Sequence, residues 1–168
     1  MKSIFKLLFA AFLTVAPLTA NAQSNVAHIN VQQLISEMPE VIAAQNELAK
    51  LEKDYTTQID NAFKEFQTKA QSYSSDAANQ TDVTNQARQK ELESMQTNLQ
   101  EFRDSAAQEL QKKQMDLMTP LLEKARSAIT KVGEEQGFNY VIDSSPNGGI
   151  ILANGKDLLA DVKKELGF

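Results

Sequence analysis

A mainly α fold with a small β-rich body, α+β overall, is predicted by three observations. One narrow apolar stripe runs through residues 40–136, a single polar stretch from Ser74 to Thr81 breaks it, and short alternating segments are confined to the two ends of the chain. A helical period sustained that long and broken once describes two long helices folded back on each other. The stripe is too thin to pack against more than one neighbour, so the hairpin should project as an antiparallel coiled-coil arm.

The first 22 residues hold Lys2 and Lys6, an apolar run from Leu7 to Val15, and the small residues Ala20 and Ala22 around Asn21. This is the pattern of a secretory signal peptide, with cleavage expected after Ala22. An uncleaved anchor is the rival reading, but Ile4 to Ala20 is short for a bilayer span and contains Thr14, Pro17 and Thr19. The remaining chain, residues 23–168, is expected to form one exported domain without cysteine, so packing rather than disulfides must hold it.

Residues 26–31 alternate, Ala27, Ile29 and Val31 against Val26, His28 and Asn30, as a short strand does. An apolar turn of Leu34, Ile35 and Met38 follows, and Pro39 sits where a helix would start, kink or restart. Along it Val41, Ala44, Leu48, Leu51, Tyr55, Ile59, Ala62, Phe66, Ala70 and Tyr73 recur at steps of three or four. The returning face is Leu92, Met95, Leu99, Phe102, Ala106 and Leu110, then more loosely Leu117, Leu121, Ala125, Ile129 and Val132. Pro120 should interrupt this helix level with Pro39, placing the shoulder between arm (41–119) and body (23–40 and 120–168).

The helix is expected to stop at Gly133 and Gly137. Phe138 to Ile142 then reads as a strand, with turn residues Ser144 to Gly148 and a second strand from Gly149 to Ala153, together a β-hairpin. Asn154 or Gly155 should cap a closing helix through Leu158, Leu159, Val162 and Leu166. A body of 67 residues without cysteine and with one histidine is marginal alone, which predicts oligomerisation.

Charge and motifs exclude more than they assign. Loss of Lys2 and Lys6 with the leader leaves 15 basic against 22 acidic side chains, a formal charge of −7, which speaks against nucleic acid or anionic lipid as a partner. His28 is the only histidine, so no multi-histidine metal site or conventional triad exists; a surface or interface role suits it better. The pairs Glu134 with Glu135 and Asp157 with Asp161 lack any sign of burial that would fit them for acid–base work. Gly149, Gly155 and Lys156 imitate a phosphate loop, but the spacing is one residue too long and Asp157 stands where Ser or Thr is required. No catalytic residue, cofactor or metal is therefore expected. Of the arm aromatics, Phe66 and Phe102 fit the seam, whereas Phe63 lies on its edge; Phe63 and Tyr73 are the candidates to touch a partner chain.

Taken together, Ile29-Asn30, the run from Leu34 through Met38-Pro39-Glu40, Tyr140-Val141-Ile142-Asp143-Ser144-Ser145, and Gly149 to Ala153 leading into Asp157-Leu158 resemble the Skp/OmpH family of periplasmic chaperones. The resemblance covers the whole chain after the leader. It implies a periplasmic homotrimer whose β-rich body carries three arms around a cavity, holding unfolded outer-membrane β-barrel proteins without ATP. On that reading Ile29, Phe138, Tyr140, Ile142, Ile150 and Leu152 belong to the trimer body. The family's best-known members are basic and this chain is acidic, so contact with lipopolysaccharide or membrane is not carried over. A secreted coiled-coil scaffold or adhesive protein is the alternative, yet residues 74–82 offer only small and polar side chains apart from charge, a poor epitope. An envelope enzyme would need a polar cleft that a hairpin does not enclose.

Overall fold

The computed structural model describes residues 25–146 and 149–168; the leader assigned to residues 1–22 and the turn residues Asn147 and Gly148 lie outside them. Strand β1, Val26–Ile29, buries Ala27 and Ile29 and leaves Val26 and His28 half-buried, as its alternation requires. Asn30 ends it and caps helix α1, Val31–Glu37, its side-chain oxygen accepting from the backbone N–H of Gln33 at 2.9 Å. Met38 is extended, as the residue before a proline is, and Pro39 takes the first position of helix α2, Pro39–Asp76, where its missing N–H is harmless.

Helix α2 runs through Ser74, Ser75 and Asp76, further into the polar stretch than the stripe alone indicates. A 3-10 turn, Ala77–Asn79, closes the tip, and the hydroxyl of Thr81 caps helix α3, Asp82–Glu135, accepting from Thr84 N at 3.2 Å. The expected interruption at Pro120 is not there: α3 is continuous through it. Pro120 is exposed, so the carbonyl of Asp116 that it deprives of a donor faces solvent, and packing on both sides keeps the helix together. Gly133 is likewise inside the helix and buried, not a stop. The stop is Gly137, at φ 73°, after which Phe138 N donates to the carbonyl of Gly133 at 2.9 Å.

The expected β-hairpin is replaced by a parallel sheet. Strand β2, Tyr140–Asp143, and the two-residue strand β3, Lys156–Asp157, flank β1 on opposite sides, and both run parallel to it. Since β2 and β3 therefore point the same way, the twelve residues between them must travel back along the sheet, about the length a parallel crossover needs. Gly149 to Ala153 is on that return path and forms no strand. The other crossover, from β1 to β2, contains the entire arm. It also explains why α3 outruns α2 by 16 residues, roughly 24 Å: the excess crosses the sheet so that β2 can start at the same end as β1.

The core lies under this crossing. Ala27 and Ile29 of β1 form one cluster with Leu34, Met38 and Val41 and with Ala125, Ala128 and Val132 of α3. Helix α4, Leu159–Leu166, closes the cluster with Val162, next to Leu158. Neither Asn154 nor Gly155 caps it; the carboxylate of Asp157 accepts from Leu159 N at 2.9 Å instead. Gly155 has a different task, because a Cβ there would stand 2.8 Å from the carbonyl oxygen of Val26.

Candidate functional site

With the core confined to the body, the exposed features are the arm and the outer face of the sheet. The arm is held by a seam and by cross-hairpin polar pairs in a constant register. Near the shoulder Lys124 meets Glu40 at 2.5 Å and Lys113 meets Glu47 at 2.8 Å. The Glu40 carboxyl is held below its ordinary range by that Lys124 hydrogen bond. Further out the rings of Tyr55 and Phe102 pack edge to face at 6.0 Å, and the Tyr55 hydroxyl donates to Glu109. Leu99 and Ala106 are the buried seam residues of this stretch.

One seam position departs from the stripe. Ala62 is exposed, and the neighbouring Phe63 lies over the flank with 40% of its surface accessible. Phe63 stacks on Phe66 at 6.5 Å with 21° between the rings, and the pair borders an open groove with Leu99, Gln96, Gln100 and Arg103. Tyr73 is placed differently. Its hydroxyl donates to Glu91 at 2.6 Å, Lys69 donates to the same carboxylate at 2.6 Å, and the Arg88 guanidinium lies 4.7 Å above its ring. Arg88 also reaches Asp76 at 3.1 Å. Lys69, then Tyr73, holds the Glu91 carboxyl below its ordinary value, and Arg88, then Asn79, does the same for Asp76. Tyr73 thus ties the tip together, a role visible only once Glu91 and Arg88 are brought opposite it.

On the body, the residues expected at the assembly surface separate by depth. Ile29 is 1% exposed and packs inside its own chain, and Phe138 is half-buried against the same core. Tyr140 and Ile142 point outward, Tyr140 with 63% of its surface exposed, while Val141 points in against Gly133. Ile150 and Leu152 are exposed as well, and between them Ile151, expected in a strand and not among the assembly residues, is fully so. The run Ile-Ile-Leu between turn residues was its signal. Beside β2 a groove of about 670 Å³ is lined by Ile35, Leu122, Ile129 and Phe138. His28, on the same outward face, pairs its Nδ1 with the Ser144 hydroxyl at 3.0 Å.

The polar end of the β2 segment serves as a joint. Asp143 Oδ1 accepts from Ser145 N at 2.9 Å, Ser145 Oγ at 2.6 Å and Val31 N at 3.3 Å, and Gln32 N donates to Ser145 Oγ at 3.0 Å. These bonds, Ser145's first, hold the Asp143 carboxyl below its ordinary value and pin the start of α1 to the end of β2. Among the described residues no group of histidine, cysteine or carboxylate side chains is arranged for a metal, and no helix is long and apolar enough to cross a membrane.

Comparison with known proteins agrees with this architecture. The chaperone protein Skp of Yersinia enterocolitica is 28% identical, over 96% of this chain and 98% of that protein. A solved structure from Caulobacter crescentus CB15, described as an OmpH-like outer membrane chaperone, superposes with a TM-score of 0.76 over 84% of this chain and 83% of its own; at 12% identity it shows the shared fold. The family model for outer membrane protein (OmpH-like) matches residues 25–166, from the residue before β1 to the last residue of α4, and the chain belongs to that family.

Proposed function

We propose that this protein is an ATP-independent holding chaperone of the periplasm, which binds unfolded outer-membrane β-barrel proteins and prevents their aggregation. The observation that carries the reading is the arm: two helices that bury only a seam, project from a small body and present long flanks with scattered apolar groups. Family membership and the likeness to Skp support it, and the leader-like residues 1–22 supply export. Without ATP, holding is equilibrium binding to the unfolded state, in competition with aggregation. Several arms around one client replace a single strong site by many weak ones, so the client stays soluble and disordered.

A homotrimer is the assembly this function calls for, and the apolar residues left outside the body give it a contact surface. Tyr140, Ile142, Ile150, Ile151 and Leu152 form that surface on this reading, with Phe138 lining the adjacent groove and Ile29 supporting it from the core. Holding requires no catalytic residue, and with a net acidic chain no lipopolysaccharide, membrane or nucleic-acid contact is proposed. The test is light scattering of a denatured outer-membrane barrel diluted from urea. The mature protein should suppress scattering without ATP, and a scattering curve that it leaves unaltered counts against holding.

A further inference from the structure

We propose that His28 makes the assembly of this chain sensitive to pH, because the outer sheet face can be covered by another copy only while its central imidazole is uncharged. This rests on the homotrimer reading and adds its regulation. Strand β1 is the middle strand of the sheet, and His28 stands on it in register with Ile142 of β2 on one side and Asp157 of β3 on the other. Residues paired in register share a face, as do residues two apart on a strand, so Val26 and Tyr140 belong to the same surface. Tyr140 and Ile142 are exposed and His28 is half-buried. The single histidine of the chain thus occupies the centre of a largely apolar surface that the assembly is to bury.

The groups around His28 give a charged ring little support once the face is covered. Its Nδ1 is 3.0 Å from Ser144 Oγ, a contact that a neutral ring makes equally well. Asp157 is the opposite charge in register with it, and its Oδ1 already accepts from Leu159 N at 2.9 Å. Lys156 pairs with Asp161 at 3.1 Å, and Asp143 at the end of β2 is occupied by Ser145 and Val31. Helices α1, α3 and α4 join the core cluster with Ala27 and Ile29, the residues on the other face of β1. Of their charges, Lys163 pairs with Glu37 and Lys131 with Glu165, while Arg126 and Glu134 line the groove beside β2. Burying a charge without a dedicated partner costs far more than burying the neutral ring. Covering the face therefore favours release of the proton, which fixes the sign: assembly is strongest at high pH and weakens as pH falls from about 8 to about 5, the range in which histidine changes charge. Each copy contributes one imidazole, so the effect multiplies with the number of copies. A client is enclosed only by several arms held together, and a loosened body lets it go.

The test is sedimentation velocity of the mature protein over a dilution series at about pH 7.5 and about pH 5.5, on either side of the middle of the histidine range. His28→Gln supplies a side chain uncharged at both values, and His28→Lys one charged at both. For the unaltered chain the concentration of half-assembly should rise about tenfold or more from the higher pH to the lower. His28→Gln should show no such rise, and His28→Lys should assemble as weakly at the higher pH as the unaltered chain does at the lower. If His28→Gln does not assemble at the higher pH, His28→Leu, which brings no polar group to the covered face, takes its place. A rise of equal size in the uncharged variant would assign the effect to groups elsewhere and overturn the proposal. So would assembly that tightens at the lower pH, the mark of an ion pair between His28 and Asp157. A trimer unchanged between the two values removes the switch and leaves the assembly standing; a chain that is monomeric at both removes the assembly and the switch together.

Discussion

Gly155 shows how much one missing side chain decides in a body this small. A Cβ at this position would meet backbone, the Val26 carbonyl at 2.8 Å, and backbone of the central strand cannot rotate away as a side chain can. Gly155→Ala should therefore push β3 off β1 and lower stability by about 1–3 kcal/mol. Thermal unfolding followed by circular dichroism measures this, and an unshifted transition would show that the strands do not close as described. Asp143 has the complementary role, one carboxylate oxygen serving three donors at the joint between β2 and α1. Its place in the motif was legible in the sequence but its partners were not, since Val31 lies more than a hundred residues earlier in the chain and nothing local announces the meeting.

At the scale of elements, the long helices were legible because a helical face repeats within a few residues and needs no knowledge of distant partners. Strand pairing has no such local record. Phe138 to Ile142 and Gly149 to Ala153, separated by turn residues, look like a hairpin, yet β1 recruits the polar pair Lys156–Asp157 and turns the second apolar run into exposed crossover. Pro120 misled for the opposite reason, because a local helix breaker is overridden where both sides are packed. The tip makes a testable element. Asp76 and Glu91 both have carboxyls lowered by their partners, so the stability they confer is present above the ordinary carboxylate range and is lost as pH falls through their folded-state values. The tip should hold at neutral pH and loosen below about pH 4, ahead of the apolar core. Hydrogen exchange, corrected for its intrinsic pH dependence, should show faster opening around Thr84 to Arg88 than in β1. Simultaneous loss of both regions would contradict an independently tied tip.

For the whole molecule, the described residues form a single body and a single arm, and the outer sheet face together with the exposed crossover residue Ile151 is what the proposed assembly must cover. Ile151→Asp, or Ile142→Lys, should dissociate a trimer in sedimentation velocity and cost much of its helicity, because the small body is marginal alone. Unchanged sedimentation for both variants would place the subunit contact elsewhere. The acidic balance of the chain limits which clients are attracted over long range, but not enclosure itself.

The central claim is that the arms are the container, and shortening them tests it most directly. Removing residues 66–92 and joining the helices by a short turn takes length from both sides of the hairpin and leaves the body's core untouched. Light scattering of refolding barrels then compares intact and shortened protein, each first shown to sediment as the same assembly. The account predicts that the shortened form still protects a small barrel but loses most of its protection of a large one; equal protection of both by the two forms would contradict it.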